Sequence, residues 1–247
     1  MLRVLAAALA LAAAACQPAP APAPPPAPAA APETPAGDAG TAAGVLQVYL
    51  VRHGQAFSNL DPAPELPAEE LDRLTPLGHE QAAETGRALA LREPALILTS
   101  PAGRARETAA EIREAAGDVA VRTEPRLRPL ELGRSASGTP ASWDERIAEW
   151  KAGRDPVPPG GESLAQLGER VLAALRDEQK RQAGRAVVVV AHSEVIGALL
   201  ALARGEPAAK AYPFSVRNGS ASLVELNAEG KPELVFADSL PDEIPPP

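Results

Sequence analysis

The chain holds only 3 histidines among 247 residues, and two of them follow apolar runs. His53 closes the stretch LQVYLVRH, and His192 closes AVVVVAH. Arg52 stands beside the first histidine, and Arg104 comes shortly after a third apolar run, ALILT (95–99). Two imidazoles and two guanidiniums make a set suited to phosphoryl transfer. Planar arginine forks hold the equatorial oxygens of a phosphate dianion. A neutral imidazole among them can attack phosphorus in line and form a phosphohistidine, and a second imidazole, if protonated, adds charge at the transferring group. Water then attacks the phosphoenzyme. With arginines supplying the positive charge, neither a metal nor another cofactor is required. Taken singly, each histidine reads more readily as a hydrogen-bonded structural residue, and each arginine as a solvated surface group. A metal held by His53 and His192 is the further option, but no carboxylate falls at a convincing ligand spacing.

The phosphoryl reading requires the three runs to bring these groups together. LQVYLV (46–51), ALILT and AVVVVA (186–191) are short, apolar and rich in branched residues, and the last is apolar on both faces, as buried parallel strands require. Helices with readable starts lie between them. Thr75-Pro76 gives an N-cap and a first-turn proline for a helix to about Leu91. Ser100-Pro101 and Thr139-Pro140 repeat that pattern ahead of helices to about Ala115 and over SWDERIAEW. Ser163 with Gln166 forms a capping box for a helix to about Gln182. Strands alternating with helices predict a parallel sheet covered on both faces, with ligands bound outside the carboxyl ends of the strands. His53, His192 and Arg104 then share one edge. His79, inside the helix after Thr75, reads as a surface residue.

Composition narrows the partners. A net charge of -8 argues against nucleic acid or an anionic membrane surface, whereas a local positive pocket can still take a small phosphorylated substrate. Residues 1–16, MLRVLAAALALAAAAC, have the layout of a signal peptide, too short for a membrane span. The single cysteine, Cys16, directly after an alanine run, resembles the lipidation site of a bacterial lipoprotein signal, although Ala13 stands where leucine is usual. Residues 17–44 hold nine of the 28 prolines and read as a semi-extended spacer. The expected organisation is a signal segment (1–16), a linker (17–44), a domain (45–238) and a loose tail (239–247). That describes an exported bacterial protein facing the periplasm, touching the membrane only through its lipid anchor.

Five motifs in order resemble the histidine phosphatase superfamily, the phosphoglycerate mutase-like proteins. They are RHG followed by Asn59, LTPLGHEQA (74–82), SPAGRARETA (100–109), PPGGES (158–163) and VVVVAHS (187–193). The resemblance runs from about Val45 to about Phe236. It implies a three-layer α/β/α fold with a mostly parallel central sheet. It also implies that His53 is the nucleophile, that Arg52, Arg104 and His192 complete the phosphate pocket, and that Asn59 contacts the ligand or caps its own loop. One segment departs. The family commonly carries a proton-donating glutamate four residues before a glycine, and counting back from Gly133 in RLRPLELGRSASG (126–138) lands on Pro129. Glu131 is then the first candidate for the acid and Glu162 the second.

The resulting expectation is a metal-independent phosphomonoesterase acting through phosphohistidine on a small substrate. A phosphoglycerate mutase and a non-catalytic phosphate-binding module are the alternatives. Specificity is expected from residues 60–72 and 134–160. Trp143 and Trp150 offer either a wall for a ring-bearing leaving group or, at helical spacing, core packing.

Overall fold

The computed structural model describes residues 44–247 apart from residue 215. The signal segment 1–16 with Cys16, and the spacer up to residue 43, lie outside the described residues. In chain order the elements are β1 (Leu46–Arg52), α1 (Ala68–Leu71), α2 (Pro76–Ala90), β2 (Leu96–Thr99), α3 (Gly103–Ala116), β3 (Val121–Thr123), α4 (Trp143–Lys151), α5 (Leu164–Gln182), β4 (Ala186–Ala191), α6 (Ser193–Ala203), β5 (Ala221–Leu226) and β6 (Pro232–Ser239).

The sheet has strand order β3-β2-β4-β1-β5-β6. The first four strands in that order run parallel, while β5 and β6 are antiparallel additions at one edge. The mostly parallel α/β/α expectation holds. Side chains alternate between two cores. Val48, Leu50, Val187 and Val189 pack with Leu167, Val171, Ile196 and Leu199 of α5 and α6. Tyr49, Val51, Val188 and Val190 pack with Leu89, Ala109 and Ile112 of α2 and α3. Every residue of β4 is buried. Each large apolar side chain buried in this way contributes roughly 1.5–3 kcal/mol, so the strand before His192 is among the best-anchored parts of the chain.

Two helix starts follow the expectation. Thr75 Oγ1 accepts from Gly78 N–H at 3.1 Å, and Ser163 Oγ accepts from Gln166 N–H at 3.1 Å. Two differ. α3 begins at Gly103 rather than after Ser100, because the Ser100 hydroxyl lies 2.8 Å from His192 Nε2. α4 is capped by Ser142, whose hydroxyl accepts from Glu145 N–H at 3.2 Å while the Glu145 carboxylate accepts from Ser142 N–H at 3.0 Å. Thr139 instead joins a hydroxyl cluster with Ser135 and Ser137.

Residues beyond Ser239 do not hang free as the loose-tail expectation had them. Pro241–Glu243 form a 3-10 turn, Glu243 pairs with Arg217 at 2.6 Å, and Ile244 packs against the α2/α3 core.

Candidate active site

β1 and β4 are parallel neighbours with Arg52 opposite Ala191, so the residues just past both strand ends meet. His53 N–H donates to Ala191 C=O at 3.0 Å. The imidazoles of His53 and His192 lie edge to face with ring centroids 5.2 Å apart. β2 ends beside β4, and the first turn of α3 brings Arg104 between the two rings. Its Nε donates to His53 Nε2 at 3.1 Å and its Nη2 to His192 Nδ1 at 3.2 Å.

Both tautomers follow from partners that act in only one sense. Gly54 C=O, 2.8 Å from His53 Nδ1, can only accept, so Nδ1 carries the proton and Nε2 presents its lone pair. A guanidinium can only donate, so His192 Nδ1 is bare and its Nε2–H donates to Ser100 Oγ at 2.8 Å. Burial, reinforced by the charges of Arg104 and Arg52, pushes the pKa of His53 down to about 3, against opposing contributions from Gly54 C=O and Asp72. Burial also holds His192 well below the ordinary imidazole range, helped by His53, Arg104 and Arg52. The site therefore contains two neutral imidazoles, and the lone pair of His53 Nε2 is aimed at Arg104.

Close backbone contact fixes the loop that carries His53. A Cβ on Gly54 would stand 2.2 Å from Gly78 O, and one on Gly78 would stand 2.1 Å from Gln55 O. The loop after β1 thus lies directly on the first turn of α2, and the glycines of RHG and LTPLG are two sides of one contact. Gly54 N–H donates to Thr108 Oγ1 of α3 at 3.1 Å, and Asn218 Nδ2 donates to His53 C=O at 2.9 Å.

The site opens into a cavity of about 490 Å³. Arg52, His53, Asn59, Arg104 and His192 line it. Arg52 Nη1 donates to Val216 C=O at 2.6 Å, while its buried Nε has no hydrogen-bond partner among the described residues. An unmet buried donor is costly. Asn59 Oδ1 accepts from Ala56 N–H at 3.0 Å, so the side chain caps its own loop and leaves only its amide nitrogen to meet a ligand. Pro129, Leu130, Leu132, Trp143 and Phe214 form the apolar part of its lining. The two tryptophans divide the roles foreseen for them: Trp143 lines the cavity, and Trp150 is buried in the core.

Neither carboxylate put forward as the acid lies in this cavity. Glu131 is half-exposed and turned to Arg128, which donates to it at 2.8 Å. Glu162 is buried against Arg170, with N–O distances of 2.6 and 2.8 Å. Burial pushes the Glu162 pKa upward, but the hydrogen bond and charge of Arg170, with the Glu131 N–H and the Arg128 charge, bring it below the usual carboxylate range. Glu162 is therefore a clamp. Arg170 also donates to the carbonyls of Arg126, Arg128 and Pro129, so the pair pins the segment that supplies Pro129 and Leu130 to the cavity.

Three site residues escaped the sequence reading. Asp72 holds Arg104 Nη1 at 2.5 Å and Gly103 N–H at 2.6 Å. Ser100, read as a helix cap, orients His192. Glu194 lines the cavity from the first turn of α6. Only the last had a visible signal, a carboxylate two residues past a strand-end histidine. His79 pairs with Glu111 at 2.7 Å, away from the cavity. Among the described residues, no group of three or more histidine, cysteine or carboxylate side chains is arranged to hold a metal, and no helix is long and apolar enough to cross a membrane.

Residues 48–238 match the model of the histidine phosphatase superfamily, branch 1. The chain is 32% identical over 189 residues to "Probable phosphoglycerate mutase GpmB" of Yersinia enterocolitica, an alignment covering 73% of this chain and 85% of that one. It superposes on a mycobacterial glucosyl-3-phosphoglycerate phosphatase with a TM-score of 0.63 at 25% identity, covering 79% of this chain and 99% of the other. It likewise resembles the alpha-ribazole phosphatase of Shigella flexneri, with a TM-score of 0.59 at 25% identity and coverage of 78% and 96%.

Proposed function

Because the chain belongs to the histidine phosphatase superfamily, branch 1, we propose that it is a phosphomonoesterase whose His53 carries the phosphoryl group. The observation behind this reading is the Arg104 guanidinium shared between His53 Nε2 and His192 Nδ1. A phosphate ester entering the cavity offers oxygens to the guanidinium groups of Arg104 and Arg52. As Arg104 turns its hydrogen bonds to the phosphate, His53 Nε2 is released to attack phosphorus. Negative charge brought beside His192 favours its protonation at Nδ1, which then donates to the transferring group. Water completes the cycle by attacking the phosphohistidine.

The cavity wall supports a monoester with an apolar or ring-bearing alcohol. Arg52 and Arg104 are the cavity's cations among the described residues, and this reading gives both to the phosphoryl group. A substrate with a second anionic group, such as a phosphoglycerate, would need a third cation on the side where Leu130, Leu132, Trp143 and Phe214 stand. The mutase reading rests on the relatives of that name. It predicts isomerisation of a phosphoglycerate faster than release of inorganic phosphate.

The test is hydrolysis of 4-nitrophenyl phosphate by the full chain. The expected result is turnover that EDTA leaves intact, that vanadate blocks and that His53→Ala abolishes, with an acid-labile phosphoryl label on the wild-type protein. Activity that survives His53→Ala would overturn the mechanism. Tight phosphate binding without turnover would favour the non-catalytic module. Export and lipidation at Cys16 belong to the same proposal, and the mass of the mature N-terminus tests them.

A further inference from the structure

Resting on the phosphatase reading, we infer that Glu194 is the acid that protonates the departing ester oxygen. Among the described residues, it is the one carboxylate lining the cavity that holds both histidines. It is the second residue of α6, directly behind His192, and only 5% exposed. Its Oε1 accepts from Leu130 N–H at 3.3 Å, and its Oε2 accepts from Ser193 Oγ at 3.2 Å. Both contacts are long enough to be given up readily. Its charge also acts on Arg52, where it opposes the effects of burial and of Arg104.

These neighbours locate the carboxyl. Leu130, which donates to Glu194, and Arg52, on which the Glu194 charge acts, both line the cavity. An ester bound with its phosphoryl group on the arginines and its alcohol along the apolar residues is then assigned a bridging oxygen on the side that Glu194 lines. The competing carboxylates are engaged elsewhere: Glu131 with Arg128, Glu162 with Arg170, and Asp72 with Arg104.

The steps balance. The lone pair of His53 Nε2 forms the N–P bond, the P–O bond to the alcohol breaks, and its electron pair on oxygen takes the Glu194 proton. The alcohol leaves. The Glu194 carboxylate then removes a proton from water as the water oxygen bonds to phosphorus. The P–N bond returns its pair to Nε2, which releases inorganic phosphate and restores protonated Glu194.

The experiment compares 4-nitrophenyl phosphate, whose leaving group needs little protonation, with a primary alkyl phosphate, in wild type and Glu194→Gln. The expected result is a loss of about 10²–10⁴-fold on the alkyl ester and under about tenfold on the aryl ester, with vanadate binding retained. Equal losses on both esters, or an unchanged alkyl rate, overturn the assignment. If Glu194→Gln does not unfold cooperatively, Glu194→Asp is assayed the same way, and equal effects on the two esters again overturn it. Wild type that hydrolyses neither ester refutes the phosphatase reading itself. Abolition of both activities by His53→Ala, with no leaving-group dependence in the Glu194 variants, refutes only the role of Glu194.

Discussion

Arg104 spans His53 and His192, donating at 3.1 and 3.2 Å, while Asp72 fixes its remaining nitrogen at 2.5 Å. One guanidinium therefore bridges the two imidazoles and occupies the lone pair of His53 Nε2, the nitrogen proposed to attack phosphorus. Geometry of this kind depends on the fork of the guanidinium as well as on its charge.

Arg104→Lys keeps the charge and loses the fork. Its kcat/KM on an aryl phosphate is expected to fall about 10²–10³-fold, the usual cost of one misplaced oxyanion donor. Asp72→Asn, which leaves the guanidinium in place but less firmly held, is expected to cost much less. Wild-type kinetics in Arg104→Lys would show that charge alone suffices.

Acid should destabilise the fold through the same two histidines. The folded pKa of His53 is about 3 and that of His192 is also depressed, whereas an unfolded histidine titrates near about 6.5. On acidification the unfolded chain takes up protons first, so this part of the stability is complete above about pH 6.5 and is lost as pH falls from there toward about 3. The slope approaches about 1.4 kcal/mol per pH unit for each histidine. Urea midpoints measured across that range should fall more steeply for wild type than for the His53→Gln, His192→Gln double variant. Parallel curves would count against neutral buried imidazoles.

Gly54→Ala should uncouple the nucleophile from its frame. The added methyl would meet the Gly78 carbonyl at 2.2 Å, so the loop must shift and take His53 with it. A displacement of about 1 Å at a reacting group can cost roughly 10²-fold, and forced overpacking costs about 1–3 kcal/mol. Paired measurements of kcat and thermal midpoint test this. If activity and stability both stay at wild-type levels, the contact does not position His53.

The Glu162–Arg170 pair should prove structural. Arg170→Met leaves a buried carboxylate and three carbonyls without their donor. Breaking one side of such a pair costs about 3–5 kcal/mol. The Glu162→Gln, Arg170→Met double variant should lose less than the two single losses combined, as read from urea unfolding. Strict additivity would mean that the two side chains do not act as a unit.

The sequence by itself determined the parallel strands, the edge at which His53, His192 and Arg104 gather, and the caps at Thr75 and Ser163. These depend on local signals: apolar runs of strand length, hydroxyls placed before helices, and the rule that parallel strands deliver their carboxyl ends to one side. The antiparallel strands β5 and β6 were not legible, because strand pairing at a sheet edge is decided by partners distant in the chain. Side-chain direction was likewise invisible. Pro129 stands at the spacing where an acid was sought, and of the two carboxylates offered in its place the tertiary structure turns Glu131 to Arg128 and buries Glu162 against Arg170. Glu194 reaches the cavity because α6 begins where β4 ends. Ser100 serves His192 rather than its own helix, since a hydroxyl at a strand end bonds to whichever buried polar group the fold places beside it. Local patterns fix which residues reach the rim, whereas charge partners far apart in sequence fix which of them face inward.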